Sequence, residues 1–269
     1  MTTDPTKAHR SVASTIDTAN AERAGAVVGY LPAGYPDLRT SIDAAVALAE
    51  NGVDVIELGL PYSDPVMDGP VIQRAAEESL AGGFRVAQVF DAVHQITERA
   101  GVPVLVMTYW NPVLRYGVDR FADDLVQAGA SGLITPDLIP DEAQEWLDAS
   151  ERTGLDRVFL AAPSSSDTRM RQAVERSRGF VYAVSTMGVT GARAGVDSAA
   201  RTVVSRLRDA GVERTCVGLG ISTADQVGEI LEYADGAIIG SAFVRALADL
   251  GVRGVGDRAA ELTAGALRR

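Results

Sequence analysis

The sequence predicts an α/β protein, a single (β/α)8 TIM-barrel domain over residues 1–269 with extra short helices. Three observations point there. Eight short apolar runs recur along the chain, each followed by a stretch with helical spacing. Six of these runs are introduced by a glycine that closes the preceding helical stretch. Eight such units in roughly 250 residues match the size of a closed barrel. Regular alternation specifies a parallel sheet and not its closure, so an open doubly wound sheet is the rival architecture.

The runs lie near 25–33, 53–60, 103–110, 131–136, 157–163, 180–186, 214–220 and 235–240. They are short and rich in Val and Ile, as strands buried on both faces should be. The glycines before the second to seventh runs are Gly52, Gly101, Gly129, Gly154, Gly179 and Gly211. Glycine just past a helix end adopts the left-handed conformation at little cost. Between the runs, apolar residues fall at i, i+3, i+4 and i+7. Ile42, Ala45, Val46 and Ala49 form one such set, Ala200, Val203, Val204 and Leu207 another, and Val227, Ile230, Leu231 and Ala234 a third. Ser222 and Asp225 have the spacing of a capping box. Residues 1–10 read as a flexible tail that includes His9. The first twenty residues are polar and unlike a secretory signal. No apolar run reaches the length of a membrane span, so the expected location is the cytoplasm.

Composition narrows the chemistry. Lys plus Arg is 25 and Asp plus Glu is 36, a net charge of −11. That balance argues against a nucleic-acid footprint. It permits a small anionic substrate, because backbone amides can hold phosphate. One cysteine, Cys216, excludes an intramolecular disulfide and a cysteine-built zinc site, and it reads as a core residue. Two histidines, His9 and His94, exclude a multi-histidine metal site, so no metal is expected. The single lysine, Lys7, lies in the tail, which excludes a Schiff-base lysine on a strand.

In a barrel the active site lies where strands end. The second run, VIELGL, carries Glu57 in the same parity as Val53 and Val55. A carboxylate inside an apolar run is costly to desolvate unless it is paired or used. Burial raises its pKa towards the range of general acid and base work. The competing reading is a structural glutamate paired with an arginine of a neighbouring helix. A second carboxylate, Asp68, follows eleven residues later on a loop rich in Pro and Gly, which favours catalysis. Asp64 and Asp68 are also ordinary turn residues beside Pro and Gly. After the sixth run, Gly188, Gly191 and Gly195 make a long connection that reads as a closing lid or a plain surface loop. The seventh run ends in Gly218 and Gly220, and the eighth in Gly240 and Ser241. Glycine at a strand-to-helix turn lets backbone N–H groups approach a ligand, and loops in these two places often hold phosphate. Tyr109 and Trp110 close the third run and could line a flat aromatic pocket.

At these residues the chain resembles the α subunits of tryptophan synthase. The resemblance runs from about 24 to 250 through GYLPAGYPD, IELGLPYSDPVMDGPVIQ, MTYWNPVLRYG, GLITPDLIPDEA, VYAVSTMGVTGAR, VGLGIST and ADGAIIGSA, in that order. It implies a lyase that splits indole-3-glycerol phosphate into indole and glyceraldehyde 3-phosphate by retro-aldol cleavage. It also implies that Glu57 is the proton-transfer residue and that Asp68 holds the indole N–H and stabilises the indolenine. Tyr182 lies beside the substrate, and Thr190 is the lid threonine. Gly191, Gly220, Gly240 and Ser241 match phosphate-binding positions, and Tyr30, Tyr109 and Ile134 surround the indole. Asp64 falls in the loop that meets a β subunit, in an αββα complex. This chain then needs no cofactor, and pyridoxal phosphate sits on the β partner. Thr186 stands where the family carries an arginine, and Tyr30 and Tyr62 where it commonly has Phe. A stand-alone lyase, or an idle barrel kept as an allosteric partner, are the alternatives. Other phosphosugar barrels fit less well. An indole-glycerol-phosphate synthase is expected to use a lysine acid, and an imidazole-ribotide isomerase two strand-end aspartates.

Overall fold

The computed structural model describes residues 11–184, 197–218 and 220–267. Helix α1 (Val12–Glu22) leads into strand β1 (Ala26–Pro32), which is followed by α2 (Leu38–Glu50). Strand β2 (Val55–Gly59) is followed by α3 (Pro70–Ala81) and α4 (Gln88–Ala100), and β3 (Val104–Met107) by α5 (Trp110–Tyr116) and α6 (Val118–Ala128). Next come β4 (Gly132–Ile134), α7 (Gln144–Thr153), β5 (Asp156–Val158), β6 (Leu160–Ala161) and α8 (Asp167–Arg176). The chain ends with β7 (Val181–Val184), α9 (Asp197–Asp209), β8 (Thr215–Gly218), α10 (Ala224–Leu231), β9 (Gly236–Ile239) and α11 (Ser241–Thr263).

The parallel sheet runs β5-β4-β3-β2-β1-β9-β8-β7-β6. Its two outermost segments, β5 and β6, are consecutive in the chain and separated by Phe159 alone. The first half of this fifth run pairs with β4 and the second half with β7. The Phe159 carbonyl also accepts from the Tyr182 N–H at 3.0 Å. Chain continuity therefore closes the barrel, and the eight expected runs are its eight staves. All six expected glycines take positive φ, from 71° at Gly101 to 100° at Gly179. The strands are shorter than the apolar runs, because the ends of each run turn out of the sheet.

Alternation sends every second side chain inward. Ala26, Val28, Val55, Leu105, Ile134, Val158, Cys216 and Ile238 form a continuous interior cluster. Outward residues such as Val27, Ile56, Val106 and Leu133 pack under the helices. The three expected helical sets lie along α2, α9 and α10, with Ala234 just beyond the last. His94 is exposed on α4. The capping box shifts by one residue from the expected Ser222 and Asp225. Thr223 is the N-cap and Gln226 its partner, with the Thr223 hydroxyl accepting from the Gln226 N–H at 3.2 Å. The Gln226 amide oxygen also collects the Ser222 N–H at 2.7 Å, which fixes the frame.

Helix α1 was not expected from so polar a segment. Val12, Ile16 and Ala19 fall at i, i+4 and i+7, are buried, and join the interior cluster. The helix closes the end of the barrel where the strands begin. Arg214 grips Asp17 through two hydrogen bonds of 2.7 and 2.8 Å, and Arg23 pairs with Asp54. The expected tail over 1–10 lies outside the described residues. Among the described residues no helix is long and apolar enough to cross a membrane.

Ile16 is fully buried in this floor. Ile16→Ala should cost about 2–5 kcal/mol in urea unfolding. A cost under about 1 kcal/mol would show that α1 does not seal the interior.

Candidate active site

At the opposite end, where the strands finish, the interior turns polar. Glu57 is the one charged side chain of β2 and sits at 1% exposure. Its register partners are Tyr30 on β1 and Leu105 on β3. Its Oε2 has no hydrogen-bond partner, and no arginine of the described residues pairs with it. The structural reading of this glutamate therefore loses its support. Burial, and then the charge of Asp68, push its pKa up to about 8. At neutral pH the carboxyl holds its proton.

Asp68 stands just before α3, whose cap is Gly69 and whose first residue is Pro70. The Asp68 carbonyl accepts from Gln73 Nε2 at 2.9 Å, which ties the end of the loop to the helix. Its carboxyl is raised by burial and held back by a hydrogen bond from the Tyr109 hydroxyl. That hydroxyl accepts in turn from the Met67 N–H at 3.0 Å. Tyr109 is the residue before α5, and its ring lies 5.2 Å from that of Tyr62. Trp110 instead begins α5, half-buried, with its N–H donating to Asp137 at 2.9 Å.

Tyr30 and Tyr182 complete the cluster. Burial, and then the charges of Asp68 and Glu57, keep the Tyr30 hydroxyl well above its ordinary range. For Tyr182 the order is burial, Glu57, Cys216 and Asp68. Both rings lean onto glycines. A Cβ at Gly59 would meet the Tyr30 hydroxyl at 2.3 Å, and one at Gly218 would meet the Tyr182 hydroxyl at 2.2 Å. These two seats were not anticipated, although Gly59 shares the parity of Glu57 and Gly218 that of Cys216. Ile134 is buried in the interior cluster. The structure thus brings Tyr30, Glu57, Asp68, Tyr109 and Tyr182 into one electrostatically coupled group. Asp64 lies apart and exposed, its carboxylate accepting from Ser63 Oγ at 2.6 Å beside Val66, itself 74% exposed.

The phosphate candidates occupy neighbouring loops, since β8 pairs with β9. Gly240 is the N-cap of α11 with no side-chain cap, and Ser241 is its first residue, buried. Gly240 also adjoins Tyr30, with a built Cβ 3.3 Å from the ring. Gly220 takes φ +53°. The helix after it begins four residues later and is capped through Thr223. Thr190 and Gly191, with Thr186, Gly188 and Gly195, lie outside the described residues.

The chain matches the family model for the tryptophan synthase alpha chain over residues 16–264. The chain belongs to the tryptophan synthase alpha chain family. A tryptophan synthase alpha chain from Leifsonia xyli is 70% identical over 96% of this chain and 98% of its own length. One from Mycobacterium marinum is 54% identical over 100% and 99%. A tryptophan synthase structure from Mycobacterium tuberculosis superposes at TM-score 0.92 with 52% identity, covering 97% of this chain and 100% of that one. A tryptophan synthase complex from Pyrococcus furiosus superposes at 0.82 with 29% identity, over 90% and 99%. As an alpha chain of this family the protein is a carbon–carbon lyase that cleaves indole-3-glycerol phosphate.

The buried glutamate makes stability depend on pH. Its folded pKa of about 8 lies above the ordinary 4.5. Its contribution is fully present below about pH 4.5 and is lost as pH rises towards 8, at about 1.4 kcal/mol per pH unit. Glu57→Gln removes this slope, so the variant should gain on the native chain between pH 5 and pH 8 in urea unfolding. Parallel losses in both proteins would show that Glu57 is not the group being held neutral.

Proposed function

We propose that Glu57 and Asp68 carry the family's reaction in this chain and divide its charge. Indole-3-glycerol phosphate must break the bond from indole C3 to its glycerol chain. Glu57, protonated at neutral pH, delivers its proton to C3. The ring becomes a positively charged indolenine, and Asp68 holds the indole N–H and balances the charge. The bond then breaks, and its electron pair returns to the ring. The Glu57 carboxylate takes the proton of the adjacent hydroxyl, which becomes the aldehyde of glyceraldehyde 3-phosphate. Glu57 ends protonated, as it began. The observation that carries this is the pairing of a buried, unpartnered Glu57 with Asp68, whose charge it feels.

Tyr30, Tyr109, Ile134 and Tyr182 surround the indole, and Thr190 closes over Asp68. Gly191, Gly220, Gly240 and Ser241 take the phosphate. The uncapped start of α11 supports that role, since it offers backbone N–H groups and the positive end of a helix dipole. The phosphate is remote from the breaking bond, so its binding energy positions the substrate. The exposed loop with Asp64 and Val66 meets a β subunit in an αββα complex, an arrangement favoured by relatives described as tryptophan synthase complexes. Indole passes to that partner, which carries the pyridoxal phosphate, and the assembly works in the cytoplasm. The intact carboxylate pair disfavours an idle barrel.

The test is indole release from indole-3-glycerol phosphate, with and without β subunit. Glu57→Gln should lose about 10²–10⁴-fold in kcat while still binding the substrate phosphate, and Asp68→Asn should be severely impaired. Full activity in Glu57→Gln would end the acid–base assignment. The rate should rise on titration with β subunit, whereas a flat titration would make the chain a stand-alone lyase.

A further inference from the structure

The cleavage scheme leaves the Tyr30 hydroxyl without a task. Tyr30 is the register partner of Glu57, so both face the interior from adjacent strands. Gly59 stands on the same face, one pleat repeat beyond Glu57. A Cβ there would lie 2.3 Å from Tyr30 Oη and 2.6 Å from Cε2 and Cζ. The phenol therefore occupies the space that a side chain at 59 would fill. On the other flank its ring meets Gly240, where a Cβ would be 3.3 Å from Cδ1. Two missing side chains let the ring lie down against the barrel wall above the glutamate.

Two polar groups thus face the barrel interior from paired positions on β1 and β2. Glu57 Oε2 is a buried oxygen without a partner. The Tyr30 hydroxyl lies in the same buried interior and feels the charges of Asp68 and Glu57. The other groups that face Glu57 do not offer the same match. Asp68, from the β2–α3 loop, is a like charge and is already bonded to Tyr109. Cys216 on β8 is a weak donor buried in the interior cluster. Tyr182 on β7 also feels the Glu57 charge, but its hydroxyl is lodged at Gly218 of β8 and β7 does not pair with β2, whereas Tyr30 is the register partner of Glu57.

We infer that Tyr30 is a positioning residue whose hydroxyl donates a hydrogen bond to the Glu57 carboxylate once that group has given its proton to the substrate. The inference rests on the acid–base reading of Glu57 above. Tyrosine keeps its own proton throughout, so no bond to hydrogen breaks at Tyr30. The donor favours the ionised glutamate, which exists between the two proton transfers, over the neutral acid. Gly59 and Gly240 serve it by leaving room for the ring.

Tyr30→Phe removes the donor and keeps the ring on its seat. In the complex with β subunit, kcat for indole release should fall roughly tenfold, with KM for indole-3-glycerol phosphate nearly unchanged. The basic limb of kcat/KM, where Glu57 loses its proton, should move up by about one pH unit. The unfolding midpoint should stay close to that of the native chain. A pH profile that does not move overturns the inference, whatever happens to kcat. A rise in KM at unchanged kcat also overturns it, because the hydroxyl would then be a substrate ligand. Glu57→Gln separates the two levels. If that variant is fully active, the acid–base reading fails. If it is inactive while Tyr30→Phe matches the native chain, the tyrosine inference alone fails.

Discussion

A carboxyl sealed inside the mouth of the barrel, with no cation of the described residues paired to it, is the constraint around which the rest is arranged. Closing the sheet forces every second side chain inward, and Val28, Val55, Leu105, Ile134, Val158 and Ile238 fill the interior with hydrocarbon. Helix α1 packs Val12, Ile16 and Ala19 against the far end of this interior. Glu57 comes next on β2 above Val55 and meets this dry environment directly. Its charged form is penalised by desolvation, and the proton relieves the penalty. The protonation state needed for an acid at neutral pH is thus produced by strand parity and closure.

The second carboxylate differs because of where it is mounted. Glu57 is fixed by pairing on both sides, to β1 and β3. Asp68 ends a loop and is steadied by Gln73 and Tyr109. The Tyr109 hydrogen bond favours the ionised form, against the burial that raises it. Burial raises both acids, which stand eleven residues apart, but only at Asp68 does a hydrogen bond, from Tyr109, oppose the rise. Pairs separated in this way can take separate acid and electrostatic roles. The glycine seats under Tyr30 and Tyr182 serve the same layer, since a methyl group at 59 or 218 would strike each hydroxyl.

Much of this was legible in the sequence because it depends on local chemistry. The left-handed glycines, the helical spacings and the parity of Glu57 are set by chain geometry, and the structure keeps them. What was harder to read depends on contacts far apart in the chain. Three apolar residues in a polar segment do not announce a helix until a barrel floor exists to bury them, and only the i, i+4, i+7 spacing of Val12, Ile16 and Ala19 hinted at it. The capping box moved from Ser222 to Thr223 because Gln226 gathers three neighbouring groups at once. Gly59 stands within the IELGLPYSDP string, but its use depends on the pairing of β1 with β2.

The charge balance also gains a physical meaning. With a single lysine and two histidines in the chain, proton transfer near neutral pH falls to carboxyls whose pKa has been moved. Burial of Glu57 does what an imidazole does in other sites. The same economy bears on how an anionic substrate is held. A phosphate bound by lysine or arginine would bring a full positive charge close to the acid, and a nearby cation favours the ionised carboxylate. Gly240 lies against Tyr30, and Tyr30 pairs with Glu57, so such a charge would stand one side chain away. Backbone N–H groups at the start of α11, the proposed phosphate seat, would attract the anion with partial charges confined to the first turn. Under the proposed function, an acid held neutral by burial is compatible with a phosphate held by amides, whereas a guanidinium beside it would favour loss of its proton.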